Sequence, residues 1–171
     1  MHIDLSSRTA GIGLAVAKGL AGAGAYVVVT GRTRARVDGA LVAIGREFPH
    51  ATLTGVAADL GTEAGAAQLI AAVPEADILV NNLGIFEPKP FFDIPDADWQ
   101  RFFEVNVMSG VRLSRHYAQG MAGRGWGASS SCRASRACRS PPRWSTTVSP
   151  RPRSWRYCVG WPRAWPAPAL R

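Results

Sequence analysis

The sequence predicts an α/β protein, an incomplete Rossmann-type doubly wound parallel sheet followed by an irregular basic tail, and three observations carry that prediction. From Gly11 to about Met121 the apolar residues alternate between helical and strand periods, the pattern of crossover helices joining parallel strands. Gly11-Ile12-Gly13 opens the first helical stretch, where such a fold places its glycine-rich turn. After Gly127 the chain changes character: residues 128–171 hold nine Arg, all three Cys, four of the six Trp and seven of the 12 Pro, with no Asp, Glu or Lys.

The elements follow in order. Gly13 to Gly22 suits a helix with Leu14, Val16 and Leu20 among its apolar residues. Ala25 to Thr30 is β-branched and apolar on both faces, as a strand buried between two helical layers should be. Val37, Leu41, Ile44 and Phe48 recur at helical spacing and mark one buried stripe. Leu53, Val56 and Ala57 predict a third strand ending near Asp59, and Thr62 to Val73 an Ala-rich helix stopped by Pro74. Asp77 to Val80 is the next buried strand, running into Asn81-Asn82-Leu83-Gly84. After a loop rich in Pro and Phe, Asp96 is placed to cap a long helix on which Trp99, Phe103, Gly110, Leu113, Tyr117 and Met121 share a face. Two regions result: a partial nucleotide-binding domain over 1–127 and an irregular tail over 128–171, expected to be disordered or poorly packed.

The net charge of +8 suggests a nucleic-acid partner until its location is considered. Residues 1–127 carry 11 Lys or Arg against 12 Asp or Glu, a balance of −1, so the basicity belongs to the tail. Three cysteines, with Cys132 and Cys138 six residues apart and no His nearby, match no common zinc site and no disulfide framework; they read as free thiols, with no metal. No apolar run approaches the roughly 20 residues that span a bilayer. Met1 to Ala10 has no basic region followed by an apolar stretch, so a cytoplasmic location is expected.

Several residues carry binding chemistry. Glycines at a helix start let a pyrophosphate approach the backbone, where unpaired N–H groups and the helix dipole favour an anion. A glycine-rich helix start without any ligand is the competing reading of Gly11, Ile12 and Gly13. The second strand ends in Thr30-Gly31-Arg32 with no acid, the arrangement suited to a ribose 2′-phosphate and hence to NADP over NAD. A solvated loop arginine is the alternative for Arg32. Asp59-Leu60 and Asn82 with Gly84 fall where adenine-contacting and sheet-stabilising residues belong, and helix capping is the plainer role for Asp59.

Together Gly11-Ile12-Gly13, Asp59-Leu60, Asn81-Asn82-Leu83-Gly84 and Asn106-Val107 resemble the short-chain dehydrogenase/reductase family over roughly residues 1–127. The resemblance implies a nicotinamide cofactor, a small carbonyl or alcohol substrate, and hydride transfer between them. It makes Asn106 the family's catalytic Asn, which helps hold a proton-relay water. A buried Asn bonded to backbone is the competing reading of that residue. The family often assembles through the helix containing Asn106 and a later one, so a homo-oligomer is doubtful here.

Two departures from the family pattern stand out. Ser6-Ser7 occupy the place of Thr-Gly, and the leader Met1 to Ala10 looks as if seven residues were deleted before Gly11, which would remove the central strand. The family's Ser and its Tyr-x-x-x-Lys should follow residue 127, where the tail has no Lys and its one tyrosine, Tyr157, precedes Trp161 by four residues. That pair is needed because the Tyr hydroxyl moves a proton at the substrate oxygen while the Lys ammonium lowers its pKa and holds the nicotinamide ribose.

A change of reading frame near Gly127 would account for the tail. Codons for Arg143 to Arg156 exist whose neighbouring frame reads Glu-Met-Val-His-Tyr-Gly-Val-Ser-Lys-Thr-Ala-Gln-Leu-Ala, with the Tyr under Thr146 and Thr147 and the Lys under Pro150 and Arg151. In the same frame Ala128 to Pro142 can encode a buried strand followed by the expected Ser. The functional expectation is a family oxidoreductase inactive in this chain. Its rivals are a residual nucleotide-binding module and a nucleic-acid-binding protein whose Arg and Trp tail contacts phosphates and bases.

Overall fold

The computed structural model describes residues 2–6 and 9–131. Five parallel strands form one sheet: β1 (His2–Ser6), β2 (Tyr26–Gly31), β3 (Leu53–Ala57), β4 (Ile78–Asn81) and β5 (Ala128–Ser131), in the spatial order β3-β2-β1-β4-β5. The helices are α1 (Ile12–Gly22), α2 (Arg34–Glu47), α3 (Glu63–Ala72), α4 (Asp96–Phe103) and α5 (Ser109–Gly123). A π-helical turn, Glu104–Met108, joins α4 to α5.

The sheet has a helical layer on each side because its strands alternate. Val27 and Val29 of β2, with Val80 of β4, pack with Ala17 and Ala21 of α1 and Ala40 and Ile44 of α2. Val28 and Leu79 point the other way, into a core with Leu69 of α3 and Leu113, Tyr117 and Met121 of α5. Burial on both faces is what the continuous β-branched run of β2 demands.

The central strand is present, contrary to the deletion expectation. His2–Ser6 fills the position between β2 and β4, with Ile3 opposite both Val27 and Ile78. The reason is that the β2 and β4 edges each present a row of backbone donors and acceptors, which a five-residue extended segment can satisfy. A second difference lies at the other edge. Ala128–Ser131 pair with β4 where irregular chain was expected, and the Ala128 N–H also donates to the Asp77 carbonyl at 2.9 Å. Residues 132–171, with the expected disorder, the free thiols and the basic nucleic-acid surface, lie outside the described residues.

The structure adds a local detail in α1 and departs from the sequence reading in α3 and α4. The buried stripe of α1 is Gly13, Ala17 and Ala21, with Leu14, Val16 and Leu20 only partly buried, because small residues let the helix lie close on the sheet. Helix α3 is capped by Thr62, whose Oγ1 accepts from the Gly65 N–H at 3.0 Å, and not by Asp59. Pro95, not Asp96, precedes α4, and no side chain caps that helix. On α4, Phe102 is buried and Phe103 exposed, because the π-helical turn Glu104–Met108 inserts an extra residue between α4 and α5 and moves the shared face back by one position.

The loop between α3 and β4 is fastened by α5. Tyr117 Oη donates to the Val73 carbonyl at 2.7 Å and Arg124 Nη2 to the Ala76 carbonyl at 2.8 Å, while His116 Nε2 lies 3.0 Å from the Pro74 carbonyl. These are carbonyls left over where Pro74 ends the helix, and pairing them removes the cost of burying them unbonded.

Candidate functional site

In this strand order the chain reverses direction across the sheet between β1 and β4, which opens a crevice beyond the strands' carboxyl ends. A cleft of about 780 Å³ lies there. It is bordered by Thr9 and Ala10 after β1, by Thr30, Gly31 and Arg32 at the end of β2, and by Arg36 in the first turn of α2. Asp59, Leu60, Gly61 and Thr62, then Leu83, Gly84 and Ile85, then Arg101 and Val105 also line it.

Of the residues singled out from sequence, Arg32, Asp59, Leu60 and Gly84 meet in this cleft. Gly11, Ile12, Gly13 and Asn82 do not line it. Gly11 precedes α1 with φ of 65°, a conformation that a side chain strains, so glycine is required there. Ile12 is exposed and Gly13 is buried in the stripe that packs α1 on the sheet.

The turn after β3 is built on Asp59. Its Oδ1 accepts from the Gly61 N–H at 3.1 Å, and its carbonyl accepts from Thr62 N and Oγ1 at 3.0 and 2.8 Å. Helix α3 can start this close only because Gly65 lacks a side chain: a Cβ there would sit 2.0 Å from the Asp59 carbonyl oxygen.

The cationic groups in and beside the cleft differ in their company, Arg34 lying outside its lining. Arg34 is neutralised by Asp38 at 2.9 Å, one turn along α2. Among the described residues, Arg32 and Arg36 have no acidic partner within ion-pair distance, and both are exposed. Arg101 belongs to a closed ring of four charges: it bonds Glu87 at 2.7 Å and Asp98 at 3.2 Å, and Lys89 bonds Asp98 at 2.5 Å and Glu87 at 3.2 Å. The Arg101 and Lys89 hydrogen bonds hold the Glu87 carboxyl below its ordinary value of 4.5. Lys89 first, and Arg101 after it, hold Asp98 below 3.8 against the opposing effect of burial.

Asn106 stands in the π-helical turn, beside a second cavity of about 300 Å³ that it lines with Asn81, Ser114 and Ser131 among others. Its carboxamide is bonded twice to one residue: Oδ1 accepts from Ile85 N at 2.7 Å and Nδ2 donates to Ile85 O at 3.1 Å. Asn81 Nδ2 donates to Ser114 Oγ at 3.3 Å, and Ser131 ends β5 opposite Asn81. A turn widened to hydrogen bonds five residues apart, as from the Ser109 N–H to the Glu104 carbonyl, is a device that recurs at functional sites.

Sequence reasoning missed Arg36, whose signal was its position one helical turn beyond Arg32. It missed Thr62, a threonine directly before the first helical residue. Nothing in the pattern pointed to Arg101. Among the described residues no group of His, Cys, Asp and Glu is arranged to hold a metal ion, and no helix is long and apolar enough to cross a membrane.

Residues 6–129 match the short chain dehydrogenase family. The chain belongs to the short-chain dehydrogenase/reductase family. Family members use NAD(P). The chain is 51% identical over 117 residues to the uncharacterized oxidoreductase YvaG of Bacillus subtilis (strain 168), covering 68% of this chain and 44% of that protein. The crystal structure of L-sorbose reductase from Gluconobacter frateurii, complexed with NADPH and L-sorbose, superposes with a TM-score of 0.66 at 32% identity, covering 77% of this chain and 54% of that one. A 7α-hydroxysteroid dehydrogenase complexed with NADH gives 0.68 at 32% identity, covering 77% and 52%. The chain spans about half the length of the relatives it matches.

Proposed function

We propose that this chain is the cofactor-binding half of an NADP-dependent member of the family, which takes up NADP(H) and does not turn over a substrate. The single observation that carries the reading is the pairing of Arg32 with Arg36 in the cleft, both without an acidic partner among the described residues, at a strand end that bears no acid. An acid there would accept the ribose 2′-hydroxyl of NAD and repel a phosphate, whereas two guanidinium groups suit the 2′-phosphate of NADP.

The fit extends along the cleft. Asp59, Leu60 and Val105 border a pocket for the adenine, with Asp59 fixed by its bonds to Gly61 and Thr62. Gly11 at the start of α1, with Ile12 and Gly13 behind it, lies outside the cleft lining and would supply the helix terminus that favours the pyrophosphate. Gly84 leaves the wall near Asn106 open, a Cβ there lying 3.4 Å from Asn106 Oδ1, and Asn82, directly after β4, would support the end of that strand. Asn106 acts by positioning: by gripping Ile85 it sets the wall along which the nicotinamide half would lie. The bound cofactor would supply hydride-transfer chemistry.

The proton-transfer half is what the chain lacks. Its tyrosines, Tyr26, Tyr117 and Tyr157, are followed four residues later by Thr30, Met121 and Trp161, and its lysines are Lys18 and Lys89 alone. No phenol stands in the family's Tyr-x-x-x-Lys relation to an ammonium, so the proton step at a substrate oxygen has no agent. The match to the family ends at residue 129, beside the proposed frame change near Gly127, which supports the same reading. Calorimetric titration with NADPH, competed in turn by 2′,5′-ADP and 5′-AMP, tests it. The phosphorylated ribose should displace NADPH far better than the plain one; equal competition, or no binding, would refute the proposal.

A further inference from the structure

We propose that the ring of Glu87, Lys89, Asp98 and Arg101 is a latch that sets how fast a ligand leaves the large cleft; the ligand assumed is the nicotinamide nucleotide of the preceding reading.

The argument begins with what the connection from β4 to α4 lacks. From Asn81 to Arg101 no residue is buried, and Phe86, Phe91 and Phe92 are exposed, Phe92 at 95%. A segment with so little apolar burial opens at low free-energy cost unless other contacts tie it down. Two ties to the following helical stretch are visible. Asn106 grips Ile85 through both its polar atoms, and the charge ring joins Glu87 and Lys89 of the connection to Asp98 and Arg101 of α4.

The ring touches the cleft at one corner. Arg101 lines it, as do Leu83, Gly84 and Ile85 at the near end of the same connection. The helix side of the ring is firm, because Phe102, next to Arg101, is buried at 1% exposure and the Arg101 guanidinium lies 5.2 Å from its ring centroid. The connection side is soft. Each cation meets both anions and each anion both cations, so removing one member leaves the others unbalanced. With the ring open, the connection is held at Ile85 alone, and the segment beyond it, residues 86–89, swings away from the corner of the cleft that Arg101 lines, widening the mouth. All four groups reach solvent, so salt screens the latch within about 8 Å at physiological ionic strength.

The test uses the full chain and its Lys89→Met and Lys89→Arg variants. Hydrogen exchange without nucleotide reads the latch directly: the amides of Phe86 to Asp93 should exchange severalfold faster in Lys89→Met and at high salt, with Lys89→Arg close to wild type and β2 unchanged in all three, while the Ile85 amide, held by Asn106, keeps its protection. Stopped-flow release of NADPH should quicken in the same order, while association stays constant. Equal exchange in wild type and Lys89→Met overturns the latch. NADPH that binds and leaves both proteins at one rate overturns its gating of the cleft. A wild-type chain that takes up no NADPH overturns the nucleotide reading and the gating together, a result distinct from either of the others.

Discussion

Asn106 and Ile85 are joined by two hydrogen bonds that imitate a strand pair, the side chain of one residue serving as backbone for the other. Each polar atom of the carboxamide thus has one backbone partner, and through Ile85 the residue helps to shape the cleft wall. Asn106→Leu removes both partners from the Ile85 peptide in a part-buried site. Each such loss costs about 1–3 kcal/mol, so thermal denaturation should show a Tm lower by several degrees. An unchanged Tm would mean that Ile85 finds other partners.

Gly65 is confined by the Asp59 carbonyl oxygen, 2.0 Å from where a Cβ would stand. Backbone cannot yield as a side-chain tip does, so Gly65→Ala should push α3 away from the Asp59 turn, at a cost on the order of 1–3 kcal/mol. Urea denaturation measures this, and nucleotide affinity should fall with it because the turn borders the cleft. A substitution without effect on either would show that the turn is not set by this contact.

Arg32 and Arg36 should divide NADPH from NADH. A hydrogen bond to a charged group is worth about 1.5–3 kcal/mol, so Arg32→Ala or Arg36→Ala should weaken NADPH binding by about tenfold to a hundredfold and leave NADH binding nearly as it was. Parallel titrations decide it. Equal losses for both nucleotides would place the arginines away from the 2′-phosphate.

Acid should loosen the connection before it unfolds the sheet. Glu87 and Asp98 have folded-state pKa values depressed below 4.5 and 3.8 by their cationic partners. Their stabilising contribution is therefore complete above those ordinary values and is lost as pH falls through the lower, folded-state ones. Exchange-protection profiles taken from pH 6 downward should show Phe86 to Asp93 losing protection in that acid range. Lys89→Met should flatten the profile, and a profile identical in the variant would contradict the assignment.

The frame proposal is testable without protein. The gene, read one base over from near the Gly127 codon, should encode a buried strand, a Ser and a Tyr-x-x-x-Lys at family spacing. Stop codons or unrelated residues in that frame would end it.

The central part of the fold was legible because its signals are of the long-range kind. The run at Val27, Val28 and Val29 announces a strand covered on both faces, and Val37 and Ile44 a helix seated on it; both are fully buried. Elements defined by their partners escaped notice. Ala128–Ser131 has no apolar pattern and becomes a strand by pairing with β4, and His2–Ser6 becomes the central strand by lying between two open edges. The buried stripe of α1, Gly13, Ala17 and Ala21, gave no apolar signal of its own, because a helix lying close on a sheet selects small residues. In the site, Arg32, Asp59, Leu60 and Gly84 could be found because they follow strands at fixed offsets. Arg101 could not, since it reaches the cleft from a helix remote in sequence.

The most direct measurement follows the nicotinamide fluorescence of NADPH bound to the purified full chain after a reducible ketone or aldehyde is added. A bound signal that appears and then holds steady is the predicted result. A signal that decays as carbonyl is consumed would contradict the loss of chemistry, and one that never appears would contradict the surviving cleft.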